Sequence, residues 1–140
     1  MDLGVDAQGT RLPGQTPSVI LLDTHALIWV DAGHPRVRGL LGQRGQLYVS
    51  PASLLELQLL QEAGKVRLRN ATVRRVLEDD RWLVDEPSPT SWFLHAVDTS
   101  WTRDPFDRLL VAHARLRRWR LATADADVIE HLGPSGSLAL

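Results

Sequence analysis

Four apolar residues in a row, Val19-Ile20-Leu21-Leu22, stop at a carboxylate, Asp23, and a second apolar-rich stretch, Thr24-His25-Ala26-Leu27-Ile28-Trp29, starts at once. An unbroken apolar run suits a strand covered on both faces by helices, since a strand with one wet face alternates apolar and polar residues. Asp23 then marks a strand end followed by a helix start, the place where α/β sheets put ligand chemistry. Acidic residues recur in comparable settings: Glu56 after Ser50-Pro51-Ala52-Ser53, Asp104 and Asp107 around Pro105-Phe106, and Asp125 after Leu121-Ala122-Thr123. Together they read as a carboxylate metal site.

The rest of the chain supports an alternation of strands and helices. Residues 1–17 hold Gly4, Gly9, Pro13, Gly14 and Pro17 with little apolar periodicity and read as a flexible leader, so the domain is expected to run from Ser18 to Leu132. Ser18–Leu22 is the first expected strand, with a helix through about Val30 and a short helix over Pro35–Leu41. Leu47–Val49 is a second strand. Ser50 as N-cap and Pro51 at the first helical position open a helix that stops at Gly64. Val73, Val76 and Leu77 have helical spacing, Trp82-Leu83-Val84 reads as a strand, and Thr90–Val97 reads as a helix. Asp104 and Pro105 start a further helix with a Phe106, Leu109, Leu110, Ala114 stripe ending near Arg118. Trp119–Thr123 is the next strand, Val128–Leu132 a last helical turn, and Gly133–Leu140 a loose tail. This order implies an α/β fold with a central parallel sheet flanked by helices.

Composition narrows the function classes. At 140 residues, 44% hydrophobic and 24% charged, the chain fits one ordinary globular domain and excludes a fibrous or globally disordered class. A net charge of −1 excludes a polycation that binds nucleic acid over its whole surface. Local basic groups exist at Lys65, Arg67, Arg69, Arg74 and Arg75 and at Arg115, Arg117, Arg118 and Arg120, and solvated faces are the plainer use for them. Without cysteine there is no disulfide, no thiolate zinc site and no thiol nucleophile, which suits a reducing cytoplasm. No stretch approaches the roughly 18 apolar residues of a membrane span, so no membrane association is expected. The five histidines lack close ligand spacing, and neither a phosphate-binding glycine loop nor a nucleophilic-serine elbow occurs.

Each carboxylate also has a plainer role open to it. Asp23 could N-cap the helix from Thr24, and Asp104 with Pro105 behind it is explained by capping alone. Asp107 could favour the helix dipole. Yet Asp104 and Asp107 share one helix side at i, i+3 spacing, with Asp107 the better ligand candidate. Glu56 among five leucines faces either solvent or a ligand, because an unpaired core carboxylate is costly. Asp125 and Asp127 could form only a turn, with Asp127 as the next N-cap. His25 reads as structural, and Ser50 and Ser53 as capping and site-orienting groups. Hard divalent cations such as magnesium or manganese take oxygen ligands, so a few converging carboxylates suffice.

In family order, Leu21-Leu22-Asp23-Thr24-His25-Ala26-Leu27-Ile28-Trp29, Ser50-Pro51-Ala52-Ser53-Leu54-Leu55-Glu56-Leu57, Asp104-Pro105-Phe106-Asp107-Arg108-Leu109-Leu110-Val111-Ala112 and Leu121-Ala122-Thr123-Ala124-Asp125 strongly resemble PIN-domain proteins, specifically VapC-type toxins of toxin–antitoxin pairs. The resemblance covers about residues 18 to 132 and implies a three-layer PIN-like fold. It also implies that Asp23, Glu56, Asp107 and Asp125 are catalytic and hold magnesium or manganese, with Asp104 as an additional acidic position and Thr123 as an orienting polar residue. The implied activity is metal-dependent hydrolysis of RNA phosphodiesters in the cytoplasm, by a homodimer held in check by a cognate antitoxin protein. The leader before Ser18 departs from the pattern. The competing readings are a PIN-like RNA- or protein-binding module without catalysis, and a DNA nuclease or RNA-processing enzyme unconnected with toxicity.

Overall fold

The computed structural model describes residues 19–41, 45–69 and 72–140. The expected leader, 1–17, lies outside the described residues, as does Ser18. Strand β1 (Ile20–Leu22) forms from the apolar run, and all three of its residues are fully buried. Ile20 and Leu22 face one core cluster and Leu21 the other, as the two-residue repeat of a strand requires. Burying each of these side chains stabilises the fold by roughly 1.5–3 kcal/mol.

Helix α1 (Thr24–Ala32) follows and ends on Gly33 at φ 69°, a left-handed C-cap that glycine adopts without steric penalty. The Pro35–Leu41 segment is a 3-10 turn, Pro35–Val37, running into α2 (Arg38–Leu41). β2 (Leu47–Val49) leads through Ser50 into α3 (Pro51–Glu62). Val73–Glu78 is a 3-10 helix, followed by β3 (Leu83–Val84) and α4 (Pro89–Val97). The remaining elements are α5 (Pro105–Arg117), β4 (Arg120–Thr123), α6 (Ala126–Gly136) and β5 (Ser137–Ala139).

The sheet has five strands in the order β3-β2-β1-β4-β5, and every pairing is parallel. Side chains of α1, α2 and α3 pack with Ile20, Leu22 and Val49 on one face. On the other face Leu110, Val111 and Ala114 of α5 and Val128 of α6 pack against Leu21 and Leu121. The architecture is therefore the three-layer α/β arrangement expected from the alternation of elements. From β1 the chain order runs outward to β2 on one side and to β4 on the other, so the carboxyl ends of β1 and β4 flank a topological switch point.

The C-terminal segment differs from expectation. Gly133–Leu140 is not a loose tail: α6 kinks at Gly133 (φ 68°, ψ 177°) and continues to Gly136, and Ser137–Ala139 pairs with β4 as an edge strand. Arg120 fixes this return by donating Nε and a terminal nitrogen to the Ser137 carbonyl at 3.2 and 3.1 Å. Among the described residues, no helix is long and apolar enough to cross a membrane.

Candidate metal-dependent active site

The fold brings all five acidic candidates to one place. Asp23, Glu56, Asp104, Asp107 and Asp125 line a single cleft of about 360 Å³ together with Thr24, His25, Trp29, Leu110 and Ala124. Asp23 leaves the end of β1 while its backbone N–H still donates to the Ala122 carbonyl of β4 at 3.0 Å, which ties it to the switch point. Its Oδ1 also accepts from the Ala26 N–H at 2.7 Å, so Asp23 is the N-cap of α1. Asp104 caps α5 by accepting from Phe106 and Asp107 N–H, and Asp125 caps α6 by accepting from Asp127 and Val128 N–H. Capping and cleft lining thus coexist, because a carboxylate has two oxygens and about four acceptor sites. The N-cap of α6 is Asp125, not Asp127, which sits in the first turn.

Buried hydroxyls support this arrangement. Thr123, fully buried at the end of β4, accepts from the Asp125 N–H at 3.0 Å and hydrogen-bonds the Asp23 carboxylate. Thr24 Oγ1 lies 3.1 Å from Ser53 Oγ, and the Thr24 side chain hydrogen-bonds Glu56. Thr24 was not singled out from the sequence, although a hydroxyl one residue after the capping aspartate is the signal that points to it.

The electrostatics follow from crowding like charges. Burial pushes the Asp23 carboxyl up, against hydrogen bonds from Thr123 and Ala26 and the His25 charge, and Asp125 adds to the rise. Burial also raises Glu56, offset in part by Thr24 and reinforced by Asp104 and Asp23. Asp107 is raised to about 7, by burial first and then by the charges of Asp104, Asp125, Glu56 and Asp23. Five carboxylates with no thiolate among them suit a hard, oxygen-seeking divalent cation, whose charge would relieve this repulsion. Among the described residues no three His, Cys, Asp or Glu side chains form a ready-made metal cage. That is compatible with a cation such as magnesium, which keeps several waters and needs only one or two direct carboxylates.

One further reading changes. His25, expected to be structural, is exposed on the cleft rim one helical turn from Trp29. Trp29 also reaches the cleft, with the Arg36 guanidinium 4.7 Å above its ring, whereas Trp82 and Trp92 are core residues.

The PIN domain family model matches residues 20–133, and the chain belongs to that family. It is 29% identical over 124 residues to Ribonuclease VapC22 of Mycobacterium tuberculosis (strain ATCC 25618 / H37Rv), covering 84% of this chain and 95% of that protein. Two solved structures share the fold: a chain of a toxin–antitoxin complex from Klebsiella pneumoniae, with TM-score 0.59, 17% identity and coverage of 86% and 96% of the two chains, and the PIN domain endonuclease Utp24, with TM-score 0.53, 17% identity and coverage of 89% and 87%.

Proposed function

We propose that the protein is a divalent-metal-dependent endoribonuclease, the toxin of a toxin–antitoxin pair. One observation carries the chemistry: acidic residues from four separate parts of the chain line one cleft at the switch point of the sheet. The similarity to Ribonuclease VapC22 over nearly the whole of both chains supports RNA as substrate. The shared fold with a chain of a toxin–antitoxin complex fits an antitoxin as partner.

Asp23, Glu56, Asp107 and Asp125 are the proposed holders of magnesium or manganese, with Asp104 as an outer acidic residue reaching through water. Held by these residues, a cation would supply positive charge to the phosphodiester and would lower the pKa of a bound water toward neutral. The remaining work belongs to the chain. Thr123 and the Ala26 N–H hold the Asp23 carboxylate in one orientation, and Thr24, backed by Ser53, does the same for Glu56. His25, exposed at the rim, offers an imidazole N–H to a backbone phosphate entering the cleft. Hydrolysis then joins the water oxygen to phosphorus and breaks one P–O ester bond; the attacking water gives up a proton to solvent, and the freed ribose oxygen takes one up to leave as a hydroxyl.

The test compares cleavage of single-stranded RNA and DNA with magnesium, with manganese and with EDTA. The wild-type protein is expected to cut RNA only with metal, and Asp23→Asn and Asp107→Asn to lose activity about a hundredfold or more while staying folded. Equal cutting by wild type and both variants, or indifference to EDTA, overturns the proposal; cleavage of DNA alone supports the non-toxin nuclease. A homodimer and a cytoplasmic location complete the proposed picture, the first checked by light scattering and the second by fractionation.

A further inference from the structure

A second polar cluster lies outside the cleft. His113, in the middle of α5, is fully buried, and its Nδ1 is 2.9 Å from Ser50 Oγ while its Nε2 is 2.7 Å from Asp85 Oδ2. Asp85 in turn accepts from Arg117 Nε at 2.8 Å and from a terminal Arg117 nitrogen at 3.1 Å. The order serine, histidine, aspartate resembles a nucleophilic triad, but Ser50 is fully buried and cannot meet a substrate. Its hydroxyl oxygen instead accepts from the Ala52 N–H at 3.2 Å as the N-cap of α3.

The proton positions follow from the bonds. The Asp85 carboxylate can only accept, so in a neutral His113 ring Nδ1 is left as the acceptor and the Ser50 hydroxyl hydrogen goes to it. Nε2 then carries the ring proton and donates it to the Asp85 carboxylate, whose charge Arg117 balances. Burial holds the His113 imidazole below its ordinary range despite Asp85, which keeps it in the neutral form these bonds need. For Asp85, burial acts upward, but the hydrogen bonds from Arg117 and His113 outweigh it and the carboxyl ends below its ordinary range.

The chain of bonds joins the ends of β2 and β3 to the middle of α5. Ser50 opens the helix that carries Glu56, and His113 lies on the helix that carries Asp107, each roughly 9 Å of helix rise from its carboxylate. Glu56 and Asp107 repel one another, so their helices need a restraint that does not itself enter the cleft. We propose that His113 is a positioning residue for the acidic cleft, holding α3 and α5 in register through Ser50 and Asp85. The proposal rests on the metal-dependent reading above for its effect on activity, but its structural content is independent of metal.

Three variants test it: His113→Leu, which fills the space without hydrogen bonds; His113→Gln, which keeps a donor and an acceptor; and Asp85→Asn, which removes the charge that fixes the tautomer. Hydrogen exchange of the amides from Ala52 to Glu56 is measured without metal, alongside manganese affinity by electron paramagnetic resonance and kcat and KM for RNA. In His113→Leu and Asp85→Asn, exchange at these amides is expected to speed up and manganese affinity to fall about tenfold, with kcat reduced and KM little changed. His113→Gln is expected to restore most of each. Wild-type exchange in folded His113→Leu overturns the proposal, as does a His113→Gln protein as impaired as His113→Leu. Should His113→Leu not fold, unchanged exchange and affinity in Asp85→Asn overturn it equally. If the wild type neither binds manganese nor cuts RNA, the ribonuclease reading fails, and exchange at α3 still decides the role of His113.

Discussion

Asp107 must ionise from a half-buried position beside Asp104, Asp125, Glu56 and Asp23, and its pKa stands at about 7. A carboxyl raised in the folded state binds its proton more tightly there than in the unfolded chain. Its contribution to stability is therefore complete below about 4 and lost as pH rises through about 7. Asp107→Asn removes this penalty, so the metal-free variant is expected to melt several degrees above wild type at pH 8 and close to it at pH 4, by calorimetry. A cation has to displace the same proton. Manganese affinity of the wild type should climb steeply from pH 6 to pH 7 and then level off, with a shallower slope in Asp107→Asn, by titration calorimetry. At this scale the acidic residues were readable because Asp23, Asp104 and Asp125 stand at element junctions, while Glu56 and Asp107 lie in helices whose starts are marked by Ser50-Pro51 and Asp104-Pro105. Thr24 and His25 were harder. Whether a side chain in the first turn of α1 points inward or onto the cleft depends on the helix phase set by the Asp23 cap, which spacing alone does not reveal.

Among the elements, the well-marked helices form where caps and apolar stripes put them, since Ser50-Pro51 and Asp104-Pro105 supply local start signals. β5 escaped because Ser137-Leu138-Ala139 has little strand propensity of its own and follows Gly133, Pro134 and Gly136, which look like the end of a fold. Pairing with β4 makes it a strand: Leu121, Ala122 and Thr123 match Ser137, Leu138 and Ala139. Gly133 makes that return possible. Its φ of 68° with ψ of 177° belongs to a region that only glycine occupies readily, while a Cβ there would meet nothing within 4 Å. Gly133→Ala is thus expected to destabilise by about 1–3 kcal/mol through backbone strain alone, read as a lower urea midpoint with an unchanged slope.

For the whole molecule, an all-parallel sheet flanked by helices makes its switch point a crevice, and this chain fills that crevice with carboxylates from β1, α3, α5 and β4 ends. The class of fold was legible from the alternation of elements, but the convergence of Asp23 and Asp125 depends on β1 and β4 being neighbours, which only the strand order shows. Binding to the folded state alone raises stability by mass action, so manganese is expected to raise the melting temperature in a concentration-dependent way at pH 8. The most direct measurement is anomalous diffraction from crystals soaked in manganese. A peak is expected inside the cleft, about 2.0–2.2 Å from at least one oxygen of Asp23, Glu56, Asp107 or Asp125. An empty cleft at saturating manganese, with the carboxylates in the places described, would contradict it.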